Sequence, residues 1–314
     1  MKGGFRNKPG VRSPASPAFW WIRYQRIIRL GIFALISTLA GYLFLNFVLA
    51  GIFVYVLTHP ICNHHPQPPA GYHPVEKWLQ TEDGLSIKIW YYPTRNGAAI
   101  LALGGMSGSL GDNLPPIDFL LADGYGVLQI DSRSCANPRA SVTLGGDEVY
   151  DAIAGLDFLK SLQEVEEVGV YGFSMGGATV IRTAAQHPEI RAVVAEGNYA
   201  NLGELLTNTN PSSSWPNRFF TTSIASIYEL ITGIDPWTIS PIDALPEISP
   251  RPVFLIFGEG EIQGGRAQDQ FATAGDHKTL WIVPQGGHGS NHIVAREEYE
   301  ERVLSFYNDT LLDE

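Results

Sequence analysis

Val168 to Val180 reads VGVYGFSMGGATV, and this stretch decides the fold. A β-type run, Val168-Gly169-Val170-Tyr171, leads into Gly172-Phe173-Ser174-Met175-Gly176, and a helix-compatible run follows. This is a G-x-S-x-G motif in the strand–turn–helix setting that gives it meaning. Ser174 must sit on a sharp turn with its hydroxyl exposed. Side chains at 172 and 176 would collide with the neighbouring strand and helix, so glycine is required there. The helix that follows aims its N-terminus, with positive dipole and unpaired N–H groups, at the same point.

Working outward, strand-like and helix-like segments alternate. Leu85–Tyr92 alternates with period two and is expected as an antiparallel edge strand. Ala98–Leu103 is continuously apolar, as a strand buried on both faces would be. Gly104-Gly105-Met106 then turns toward a helix around residues 113–122. Val127–Ile130 is a further buried strand, and Gly146–Leu162 a helix with Val149, Ile153, Leu156 and Leu159 on one side. Beyond the motif come strand Ile190–Ala195 ending at Glu196, a mixed insertion over 201–249, strand Pro252–Phe257, helix Gly265–Ala274, strand Thr279–Val283 and a closing helix over 292–312. The pattern predicts an α/β fold, with a mostly parallel central sheet and helices on both faces. Sites in such sheets lie at the carboxyl ends of the strands.

Upstream, Leu30–Leu57 runs 28 residues without a charge, more than a bilayer core requires and longer than the apolar core of a cleaved signal peptide. Residues 1–29 hold seven of the 21 basic residues and no acid, so all 32 acids lie downstream. Basic residues before the span predict an N-terminus in the cytoplasm and a domain outside. The expected division is a basic cytoplasmic tail over 1–26, a transmembrane signal anchor over 27–57, a Pro/His-rich stalk over 58–75 and a catalytic-sized domain over 76–314. The membrane is thus one partner, through residues 30–57, while the acidic domain argues against nucleic acid. The histidines of the stalk match no defined zinc spacing and read as a solvated spacer. Cys62 and Cys135 cannot form a disulfide framework; one bridge is open to them but the sequence does not support it, and Cys135 reads as a packed thiol rather than a nucleophile.

Taken together, these features resemble the α/β-hydrolase superfamily over about residues 72–312, and within it the membrane-anchored or secreted serine hydrolases of the prolyl-oligopeptidase-like and acyl-hydrolase branches. The resemblance implies a nucleophile, an acid and a base in that chain order. Ser174 matches the nucleophile. His288, in Gln285-Gly286-Gly287-His288-Gly289 after the last strand, matches the base; His187, His277 and His292 are poorer candidates. Phe257-Gly258-Glu259-Gly260-Glu261 puts Glu261 at the acid position, with Glu259 and Glu196 as open alternatives. The backbone N–H groups of Met106 and Met175 match the oxyanion hole, although Gly104 stands where the family has histidine. Asp131 and Arg133 match an Asp-x-Arg motif whose glycines are replaced by Ser134 and Ala136. The Gly-rich loop at 104–108 lacks the Lys-Ser/Thr of a phosphate loop.

The resemblance implies cleavage of a small-molecule acyl ester through an acyl-enzyme, with no metal or organic cofactor and with a lid-like insertion at 201–249. A peptidase or acyltransferase acting on a peptide-like substrate with the same triad is one alternative, and a non-catalytic binding protein of the same fold another. Trp215 and Trp237 in the insertion suit an apolar pocket or core packing equally well.

Overall fold

Strand β3 (Ala98–Leu103) is buried at every residue, and its two alternating sets of side chains show why. Ala99, Leu101 and Leu103 enter one apolar cluster, while Ala98, Ile100 and Ala102 enter another on the opposite face. A strand with cores on both faces needs an unbroken apolar run rather than alternation. The computed structural model describes residues 17–62, 67–106, 110, 116–137, 140–207 and 214–312.

The remaining strands are β1 (Val75–Gln80), β2 (Ser86–Tyr92), β4 (Gly126–Ile130), β5 (Glu167–Phe173), β6 (Ile190–Glu196), β7 (Val253–Gly258) and β8 (Lys278–Val283). They form an eight-stranded sheet in the order β1-β2-β4-β3-β5-β6-β7-β8. β1 and β2 are antiparallel to their neighbours, and β3 to β8 run parallel. The helices are α1 (Pro17–Thr58), α2 (Asp118–Ala122), α3 (Arg133–Ala136), α4 (Glu148–Lys160), α5 (Met175–Gln186), α6 (Leu202–Thr207), α7 (Trp215–Thr232), α8 (Pro241–Ala244), α9 (Ala267–Thr273), α10 (Asn291–Val294) and α11 (Arg296–Tyr307), with a π-helical turn at Asn308–Leu312. One cluster packs α4 and α5 on the sheet through Leu156, Leu159, Val180 and Ile181, and the other packs α2 and α11 through Leu120, Leu121, Tyr299 and Val303. The expected α/β sandwich is therefore observed.

Several local expectations differ. The strand over 85–92 is not an edge: β1 pairs outside it. β1 reads VEKWLQ and is exposed at five of six positions, so it carries no burial pattern that a sequence could reveal. The expected closing helix over 292–312 is divided into α10, α11 and the π-helical turn. Part of the expected tail, of the stalk, of the helix over 113–122 and of the 201–249 insertion lies outside the described residues.

The chain forms two compact units, residues 1–49 and 50–314. In the first, α1 begins at Pro17, inside the span expected to be a tail; a proline at the first helical turn loses no hydrogen bond. Within Trp20–Thr58 an 18-residue window reaches a mean hydropathy of 2.1, and the helix is long and apolar enough to cross a membrane. In the second unit, the end of α1 is part of the core. Ala50 and Val54 are fully buried in a third cluster with Met175, Leu202, Leu206, Ile224 and Tyr228. The Thr58 carbonyl accepts a hydrogen bond from the Val142 N–H at 2.8 Å. Cys62 and Cys135 are joined in a disulfide, so the expectation of a packed free thiol at 135 is corrected. The two residues are 73 apart in sequence, and only the fold brings them within bonding distance.

Candidate active site

β5 ends at Phe173 and α5 starts at Met175, leaving Ser174 alone on the turn at φ +54°, ψ −116°. A non-glycine residue at positive φ is strained, and the packing around it explains how it is held. A Cβ at Gly172 would collide with the Gly176 carbonyl, and a Cβ at Gly176 with the carbonyls of Leu103 and Gly104. The close approach that the two glycines permit is used on both sides. The Ser174 N–H donates to the Glu196 carbonyl at 2.7 Å, and the Gly176 N–H to the Gly104 carbonyl at 3.1 Å. The second bond draws the Gly104-Gly105-Met106 loop against the first turn of α5. Met175 is that helix's first residue, and Met106 lies two residues beyond the bonded Gly104 and packs against the cluster that holds Met175.

Glu261 lies in a single 3-10 turn after β7, and its Oε2 accepts from the Gly258 N–H at 2.8 Å. Its Oε1 is 2.6 Å from Nδ1 of His288, in the loop between β8 and α10. The His288 ring packs on Phe173, one residue before the serine, with centroids 4.9 Å apart. Burial pushes the Glu261 carboxyl up, but the imidazole and the Gly258 N–H outweigh it and hold the carboxyl below its usual range. The Glu261 hydrogen bond in turn raises His288 above the ordinary histidine value, against the opposing effect of burial.

Ser174, Glu261 and His288 border one cavity of about 270 Å³ with Gly197, Asn198, Tyr199, Leu205, Gly264 and Gly265. The serine and the imidazole share the cavity without a hydrogen bond between them. The two rival acids lie elsewhere. Glu259 accepts from the Gln285 N–H at 3.0 Å, and Glu196 is fully buried among Tyr171, Tyr299 and Asn291. Of the other histidines, His292 pairs with Glu300 at 2.8 Å and His187 approaches Glu189, so neither is in the cavity. Trp215 and Trp237 are exposed and do not border it either; from the insertion, Leu205 does. Gly197, Asn198 and Tyr199 were not singled out in the sequence. Their position directly after β6, at the carboxyl end of a central strand, is the signal that could have found them.

Arg133, of the Asp-x-Arg motif, holds two elements together. Its buried guanidinium meets Asp83, Asp151 and Asp147 at 2.6, 3.1 and 3.2 Å and ties the β1–β2 turn to α4.

No family model matches the sequence. Solved structures are similar to it. An esterase from Pyrococcus furiosus matches at 23% identity and a TM-score of 0.64, over 80% of this chain and 99% of that one. The α/β hydrolase GrgF from a Penicillium species matches at 18% identity and 0.58, over 77% and 100%. An acylaminoacyl peptidase from Pyrococcus horikoshii matches at 16% identity and 0.57, over 77% of this chain and 42% of that longer one. The strand order, the antiparallel start of the sheet, the strained serine between β5 and α5 and these likenesses agree: the chain has the α/β-hydrolase fold.

Proposed function

We propose that the protein is a membrane-anchored serine hydrolase that cleaves an acyl ester. Ser174 Oγ attacks the carbonyl carbon while His288 Nε2 takes its proton. The negative charge that develops on the carbonyl oxygen is met by the N–H groups of Met106 and Met175, at the positive end of α5. His288 then returns the proton to the leaving alkoxide, and an acyl-Ser174 remains. Water, deprotonated by His288, releases the acid and restores the hydroxyl. Glu261 fixes the imidazole with Nε2 toward the serine and balances the imidazolium as it forms. The serine and imidazole must close on each other when substrate binds, a tightening ordinary for sites without ligand.

The observation that supports this most is the Glu261–His288 pair at 2.6 Å on the same cavity as a serine held at positive φ. Leu205 and Tyr199 line that cavity, and their apolar surface suits an acyl chain. The Cys62–Cys135 bridge adds to the charge bias around the span in favour of a domain outside the cytoplasm, because structural disulfides persist in oxidising compartments. Ester turnover by the full chain and its Ser174→Ala variant tests the proposal: loss of essentially all turnover is expected, and wild-type turnover by the variant would sink it.

A further inference from the structure

Glu196 is fully buried, and three donors converge on its carboxylate. Tyr171 and Tyr299 donate to Oε2 at 2.5 and 2.7 Å, and Asn291 Nδ2 donates to Oε1 at 2.9 Å. A carboxyl that only accepts is an ionised one. Yet no lysine or arginine pairs with it among the described residues. A buried charge without a cation is costly, and cores rarely keep one without use.

Its surroundings point to the use. The Glu196 carbonyl accepts from the Ser174 N–H, so the residue's backbone braces the strained turn. The same Asn291 Nδ2 that bonds Glu196 also reaches Glu261 Oε2 at 3.5 Å. The next residue, Gly197, lies against the Glu261–His288 pair: a Cβ there would stand 2.8 Å from Glu261 Oε1 and 3.2 Å from His288 Nδ1. The titratable groups facing Glu196 are Tyr171 on β5, Tyr299 on α11, Glu261 after β7 and, beyond it, His288. Of these only His288 can become positive.

We infer that Glu196 is a positioning residue of the site: its buried charge, relayed through Asn291 and Glu261, favours the imidazolium form of His288 while its backbone holds Ser174. This rests on the hydrolase reading above. The direction of the electrostatics agrees, since Glu196 raises the proton affinity of His288, after the larger effect of the Glu261 hydrogen bond. Burial holds Glu196 itself above the usual carboxylate range, its three donors opposing that only in part.

The test is the pH profile of p-nitrophenyl acetate hydrolysis by the full chain in detergent, for the wild type, Glu196→Gln and Asn291→Ala. Glutamine keeps the shape of Glu196 and removes its charge. In Glu196→Gln the acidic midpoint of kcat/KM is expected to fall by about one pH unit, a tenfold change in the imidazolium equilibrium. kcat should drop at unchanged KM, and the melting curve should stay cooperative. In Asn291→Ala the relay is cut, and kcat should again drop at unchanged KM. A folded Glu196→Gln enzyme with wild-type midpoint and kcat overturns the inference and leaves the hydrolase reading intact. If Glu196→Gln does not fold, Asn291→Ala decides, and wild-type kcat there overturns it. A wild type without ester turnover overturns the hydrolase reading and this one with it.

Discussion

Gly197 has φ +60°, and a methyl group there would press on both Glu261 and His288. Gly197→Ala should therefore misplace the pair without touching the serine. We expect kcat/KM to fall by about 100-fold, the scale on which small misplacements act, and the melting temperature to drop by a few degrees, because alanine is strained at positive φ. The hydrogen bond that His288 donates to Glu261 raises the proton affinity of the imidazole, which in the proposed mechanism must be neutral to accept the serine proton and is protonated up to a higher pH than usual. Activity should then rise with pH through a midpoint above the ordinary histidine value of about 6.5. Glu261 is lowered and stays ionised throughout that window. Glu261→Gln should lower both the midpoint and kcat. A midpoint at or below 6.5 in the wild type would contradict the pairing.

At the scale of elements, Leu205 on α6 is half exposed and forms part of the cavity wall. Leu205→Ala should raise KM for esters of longer acyl chains several-fold and leave acetyl esters unaffected. A uniform loss across chain lengths would mean that α6 supports the fold rather than the substrate. How far such elements were legible depended on burial. β3, β5, β6 and β7 are short, mostly apolar runs buried on both faces, and the sequence marks them to within a residue or two. β1 is exposed, so neither alternation nor an apolar run announced it. The carboxylate that pairs with His288 was legible only as one of three glutamates, because motif spacing cannot tell which of them faces a distant imidazole. That depends on the turn after β7, where Glu261 bonds the Gly258 N–H and Glu259 bonds Gln285 instead. The tryptophans of the insertion suited a pocket or core packing equally well; neither lines the cavity of Ser174, and the Trp237 ring lies against Gly203.

Across the molecule, two long-range ties bind the segment before β1 to the hydrolase fold. The disulfide from Cys62 to Cys135 closes a loop of 73 residues, and in the chain-entropy account such a loop is worth up to about 4 kcal/mol. Cys135→Ser should lower the denaturation midpoint, and reducing agent should affect the wild type but not the variant. The final turns of α1 share a cluster with Met175, against which Met106 also packs. A chain beginning after Thr58 loses Ala50 and Val54 from that cluster and should melt lower than the full chain, with weaker turnover. No pattern in the sequence separated these turns from the rest of the apolar span, since a buried helical face and a lipid-facing one are equally apolar. The central claim, an activated serine at position 174, is tested most directly by treating the full chain in detergent with a fluorophosphonate and mapping the modified residue by peptide mass. The account predicts a label on Ser174 that His288→Ala abolishes. A folded protein that takes no label, or takes it on another residue, would contradict it.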